Sequence, residues 1–90
     1  MKNANELHWT KARKVNGTEM EEAVREYDNG DYDFYSRVKG SRFVIRHNQY
    51  TGGKAKSTWV IEDENFEMLE TLPTKQEAVA TITFFEKFNR

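Results

Sequence analysis

The sequence predicts an α+β domain: an antiparallel meander of three to four strands packed against a C-terminal helix, with a short N-terminal helix ahead of the strands. Three observations carry that prediction. Around Gly40 the apolar residues recur at every second position, after Pro73 they recur at helical spacing, and between Thr18 and Gly30 a helical spacing opens on a capping pattern and closes on Asn-Gly. The predicted order is α-β-β-β-α after an extended N-terminal arm.

The arm is "LHWTKARKV", in which Leu7, Trp9 and Val15 share one parity, so it reads as an extended segment or short strand packed by its tryptophan. Thr18 with Glu21 three residues on forms a capping-box pattern, and Met20, Ala23, Val24 and Tyr27 fall at i, i+3, i+4 and i+7. Asn29 and Gly30 supply a left-handed stop, which places the first helix at Glu19 to Asp28.

From Tyr32 the period changes to two. "YDFYSRV" and "RFVIRHN" flank Gly40 and Ser41, and glycine at the first central position of a two-residue loop is the type II′ hairpin signal. That turn pairs Val38 with Phe43, Arg37 with Val44, Ser36 with Ile45 and Tyr35 with Arg46. One face then carries Phe34, Val38, Phe43 and Ile45, and the other carries Tyr35, Arg37, Lys39, Arg42, Val44 and Arg46. After a polar loop from Asn48 to Ser57, "TWVIE" reads as a third strand and "FEML" as a short fourth at an edge. Beyond Pro73, Thr74 and Glu77 repeat the capping box and open a helix whose Ala78, Val79, Ile82, Phe85 and Phe88 form the stripe that covers the sheet.

Ninety residues support one hydrophobic core, so residues 1–90 are read as a single domain. Without cysteine, neither disulfides nor thiolate metal sites stabilise it. "MKNANELHW" lacks the apolar centre of a signal peptide and no apolar run approaches the ~20 residues of a membrane span, so the expectation is a soluble cytoplasmic protein with no membrane partner. A formal net charge of −1 excludes both a generally basic nucleic-acid coat and an extended acidic mimic of DNA. The charge is nonetheless segregated: residues 1–18 carry +3, 19–33 carry −6, 37–58 carry +6 and 62–70 carry −5.

The motifs that suggest chemistry fail on spacing. "DNGDYD" lacks the alternating ligands and distal bidentate glutamate of a calcium loop. In "TGGKAKST" the first glycine of a phosphate loop is replaced by Asn48, Ala55 follows Lys54, and a strand comes next. His8 and His47 have no second ligand at i+4, and Ser36, Ser41 and Ser57 lack a nucleophile-elbow context. The expectation is a non-enzymatic protein without metal or cofactor.

The remaining feature is the basic face. Arg37, Lys39, Arg42 and Arg46 project from neighbouring positions of two paired strands, Lys54 and Lys56 extend them through the loop, and Tyr35 and Tyr50 offer rings for stacking. Clustered like charges cost stability unless an anion compensates them, which points to nucleic acid or to an acidic protein surface. The competing reading is compensation within the chain, by acids of the first helix or by Glu62, Asp63 and Glu64. The competing function is a small protein-interaction module or inhibitor, of the kind found on mobile elements, steered by its charged blocks onto an enzyme or into a homodimer.

In element order, helix, three strands, helix resembles a double-stranded RNA-binding domain, and a three-stranded meander closed by one helix resembles the DNA-reading N-terminal domains of some phage-type integrases. The first resemblance implies a lysine cluster opening the second helix, where "PTKQEA" has Lys75 alone beside Glu77. The second implies DNA contact through the sheet face.

Overall fold

Asn16 and Gly17 decide the architecture of the N-terminal third. Both hold positive φ, 52° and 84°, the backbone signature of a two-residue type I′ hairpin turn, and they reverse the chain so that Val15 pairs with Thr18. The computed structural model describes residues 3–48 and 58–88. Within them lie a one-turn 3-10 helix at Ala4–Glu6, six strands, β1 (Arg13–Val15), β2 (Thr18–Glu26), β3 (Tyr32–Val38), β4 (Val44–Asn48), β5 (Thr58–Glu62) and β6 (Met68–Leu72), and the helix α1 (Lys75–Phe88). The strands form one antiparallel sheet in sequence order.

The class is therefore α+β with a C-terminal helix, but the sheet has six strands rather than three to four. The residues expected to form an N-terminal helix, Glu19 to Asp28, supply β2 and the turn after it. Their three-four spacing arises because β2 is buried on both faces at different points: Met20 packs under α1, while Ala23 is buried beside Tyr35, its partner on β3. The other two members of the apparent helical stripe, Val24 and Tyr27, are exposed. With no α-helix before the sheet among the described residues, the order of the double-stranded RNA-binding domain is absent, and six strands exceed the integrase-like meander.

Gly30, at φ 93°, turns β2 into β3, with the Gly30 amide donating to the Tyr27 carbonyl. The next turn is displaced by one residue from the sequence reading. Lys39 and Gly40 are its central residues, the Ser41 amide donates to the Val38 carbonyl, and Gly40 takes φ 83° at the second central position. The pairs Ser36–Ile45 and Tyr35–Arg46 nevertheless stand as expected, joined by Phe34–His47. The pairing expected to continue through Arg37–Val44 to Val38–Phe43 ends at Ser36–Ile45, because the chain needs Ser41 to Phe43 to cross back.

Two cores sit on opposite faces of the sheet. On one, Met20, Phe43, Ile45 and Ile61 pack against Ala78 and Ile82 of α1. The Thr74 hydroxyl accepts the Glu77 amide at 3.1 Å and caps that helix as its sequence implies. On the other face, Ala4, Tyr35 and Val44 are buried under Leu7, Trp9 and Phe66. The N-terminal segment is held there by the Ala4 amide on the Glu64 carbonyl and by the Trp9 indole N–H on the Ala4 carbonyl, at 2.7 and 2.9 Å. Among the described residues no helix is long and apolar enough to cross a membrane.

Candidate binding face

On the face expected to be basic and open, Arg37 and Arg46 are partly covered and each is paired with a carboxylate of the chain, while Lys39 and Arg42 are exposed. Arg37 places Nε and Nη2 each 2.9 Å from Glu21 Oε1, and its guanidinium lies 4.2 Å from the centre of the Trp9 ring. This follows from register, since β2 sets Glu21 directly across from Arg37. Lys39 stands 3.6 Å from Glu19, an exposed pair. Arg46 donates from Nε to Glu62 Oε2 at 2.8 Å, and the second oxygen of that carboxylate accepts the Tyr35 hydroxyl at 2.7 Å. Arg42 packs its guanidinium over the Phe43 ring at 4.9 Å. Lys54, Lys56 and Tyr50 lie outside the described residues.

Tyr35, 1% exposed, is a core residue rather than a stacking surface. Burial pushes its hydroxyl pKa well above the tyrosine range; Arg25 opposes the shift and Glu62 adds to it. Burial works against the charged form of Arg46, yet the hydrogen bond and charge of Glu62 hold its pKa above the ordinary value. Arg25 completes the group, donating to the Tyr35 hydroxyl at 3.4 Å while its guanidinium covers the Phe66 ring at 3.8 Å. Glu62 is 4% exposed, so this cluster works as an internal tie between β3, β4 and β5.

The open surface is on the helix side. At the usual strand spacing of about 4.8 Å a six-stranded sheet is roughly 24 Å wide, and one helix about 10 Å across covers less than half of it. α1 leaves bare one end of a cross-strand row in which Val24 pairs with Phe34, Phe34 with His47, His47 with Trp59 and Trp59 with Leu72, the last two being half-buried against the core under α1. Val24 is 45% exposed, Phe34 48% and the adjacent Tyr32 57%. A groove of about 490 Å³ runs over this row, bounded by His8 and Thr10 of the arm and by Lys75 at the start of α1.

Within the groove the rings fall into two pairs. His47 stacks on Trp59 with centroids 3.7 Å apart and planes 2° from parallel, while Phe34 makes an edge contact with Tyr32 at 5.3 Å. Phe34 and His47 are register neighbours, yet no ring contact joins them. Lys75 Nζ lies 5.8 Å from the centre of the Trp59 ring. Burial, then the nearby Lys75 charge, lowers the His47 pKa below its usual value. The cation responsible is Lys75; Arg46, next in sequence, emerges on the opposite face and is held by Glu62. Ser36 also lines the groove, and its hydroxyl has no hydrogen-bond partner among the described residues.

The sequence reading did not single out Val24, Phe34, His47 and Trp59 as a surface. Their signal is the register itself, which puts Phe34 and His47 side by side once Tyr35 opposes Arg46. Comparisons with known proteins leave the site to its own geometry: no family model matches the chain, and no curated protein or solved structure does.

Proposed function

We propose that this protein is a non-enzymatic binding module that acts by protein–protein contact through the half of its sheet that α1 leaves bare. The observation that carries the reading is the exposed pair Val24 and Phe34 beside the half-buried His47–Trp59 stack, framed by polar and charged side chains. Aromatic residues concentrated in a surface patch with few charges at its centre are the composition of an interface core, and rings anchored in a groove are the usual carriers of binding energy.

The nucleic-acid reading needs Arg37, Lys39, Arg42 and Arg46 to present charge to phosphates. A phosphate would have to displace Glu21 from Arg37 and the buried Glu62 from Arg46, at the expense of the fold. Arg37 and Arg46, already paired with carboxylates, also contribute less to the electrostatic affinity for a polyanion.

The test has two arms. A protein recovered on immobilised wild type and not on Phe34→Glu is purified and titrated back onto both; binding that falls at least ~10-fold with the substitution is the expected result. Oligo-dT and oligo-U are titrated at low and high salt while the Trp59 indole N–H is followed by NMR. Saturable binding that weakens steeply with salt and depends on Phe34 would transfer the face to single-stranded nucleic acid.

A further inference from the structure

For part of its length β2 is an edge strand. The Lys39 amide on the Glu19 carbonyl and the Tyr27 amide on the Asp31 carbonyl, at 3.0 and 2.9 Å, bracket its ladder to β3, so in this register the odd-numbered residues of β2 bond to β3. The even-numbered ones turn their backbone groups outward. β1 pairs with Thr18 and Met20, and the arm takes Glu22, whose carbonyl accepts the Thr10 amide at 2.8 Å and whose amide donates to the Thr10 hydroxyl at 3.0 Å. There the arm leaves the edge, because Leu7 packs under the opposite face with Tyr35 and Val44. The outward amides and carbonyls of Val24 and Glu26 therefore have no partner among the described residues. At the sheet's other edge the register of β6 on β5 shifts between Ile61 and Glu62, the kind of irregularity that discourages strand addition.

Two cavities flank the open edge, one on each face of the sheet, and Val24 and His8 border both. On the helix side is the groove over Phe34 and the His47–Trp59 stack, apolar at its centre. On the other side a cavity of about 550 Å³ lies beside Arg25 and Phe66. Its rim is acidic: Glu6, Glu26 and Asp28 border it, while the Arg25 guanidinium is turned onto the Phe66 ring and the Tyr35 hydroxyl. Glu26 and Asp28 have no cation partner among the described residues.

An extended chain is the occupant that answers all three features, because its backbone matches free donors and acceptors while its successive side chains go to opposite faces. We propose that the Val24–Glu26 edge accepts an added strand from a protein partner, a segment in which apolar and basic residues alternate. Side chains of that strand lying beside Val24 stand over the groove, where apolar ones bury against Phe34. Those lying beside Arg25 stand over the other cavity, where a Lys or Arg is drawn by the surrounding carboxylates. Lys75 at the rim of the groove fixes which way the segment faces, since a basic side chain on that side meets a like charge. This rests on the protein-contact reading above and names the chemistry of the partner segment.

The probe is the blocked peptide acetyl-Ser-Leu-Arg-Phe-Lys-Ser-amide, titrated onto the isotope-labelled protein while amide hydrogen exchange at Val24 and Glu26 is followed by NMR. It is expected to bind saturably and to slow both exchanges at least ~10-fold. N-methylating alternate amides, those of Leu and Phe in one peptide and those of Arg and Lys in another, is expected to weaken binding at least ~10-fold in one and not in the other, since only one edge of an added strand bonds to β2. Replacing Arg and Lys of the peptide by Glu is expected to weaken it at least ~10-fold as well. No saturable binding at millimolar peptide, indifference to both methylations, or binding that leaves the two exchanges unchanged overturns the proposal. A peptide that protects the edge equally in wild type and in a natively folded Phe34→Glu variant supports strand addition and overturns the bare-sheet reading. A purified protein that binds through Phe34 and leaves both exchanges unchanged overturns only this inference.

Discussion

At the scale of single residues, what separates the ion pairs of this protein is burial. Glu62 is held by two partners in a nearly closed environment, whereas Lys39 and Glu19 meet in solvent with more than half of each side chain exposed. Removing one partner of a buried pair leaves an uncompensated charge and costs about 3–5 kcal/mol, towards the lower end here because Arg46 keeps some access to water; exposed pairs contribute about 0–1 kcal/mol. Glu62→Gln is therefore expected to lower the urea midpoint strongly and Lys39→Gln to leave it nearly unchanged. Equal effects would remove Glu62 from its structural role. His47 gives a pH dependence. Its folded pKa is depressed, so the unfolded chain binds the proton more readily, and the stabilisation from a neutral His47 is lost as pH falls below its ordinary value of 6.5. Chemical denaturation between about pH 5 and 7 should show stability rising with pH, with a shallower rise in His47→Phe, which retains a ring to stack on Trp59. Identical slopes in the two proteins would contradict the assignment.

At the scale of elements, β3, β4, β5 and the C-terminal helix were legible where one local signal agreed with one face of burial. "TWVIE" gave β5, Thr74 and Glu77 gave the start of α1, and the alternation through Tyr35 and Arg46 gave the β3–β4 register. β2 was not legible as a strand because α1 buries Met20 from one side and the Tyr35 layer buries Ala23 from the other, which imitates helical spacing. The signal that overrides the imitation is Asn16-Gly17, two residues that tolerate positive φ, placed directly between two β segments. Gly17→Ala, at φ 84° with open space around the added carbon, is expected to destabilise by about 1 kcal/mol through backbone strain alone. Thermal unfolding checks this, and a neutral effect would mean that the turn tolerates another geometry.

At the scale of the whole molecule, the site escaped the sequence for a related reason. Once residues 19–28 are read as a helix, Glu19 and Glu21 are taken away from Lys39 and Arg37, and the cations of β3 are left looking open. Glu62 was within legible reach of Arg46 because "TWVIE" was read correctly as the strand beside β4. The aromatic row depends on a proportion, one helix against six strands, that appears only when all six are counted. The N-terminal segment covers Arg37 and Glu62 holds Arg46 on one face while α1 half covers the other, so the proposed contact lies at Val24, Phe34 and the His47–Trp59 stack rather than at Arg37, Lys39 and Arg42. Amide and indole chemical-shift mapping with a reconstituted protein partner tests that proposal most directly. The account predicts that the largest shifts fall on Val24, Phe34, His47 and Trp59. Shifts centred on Arg37, Lys39, Arg42 and the Trp9 segment, with the row unmoved, would contradict it.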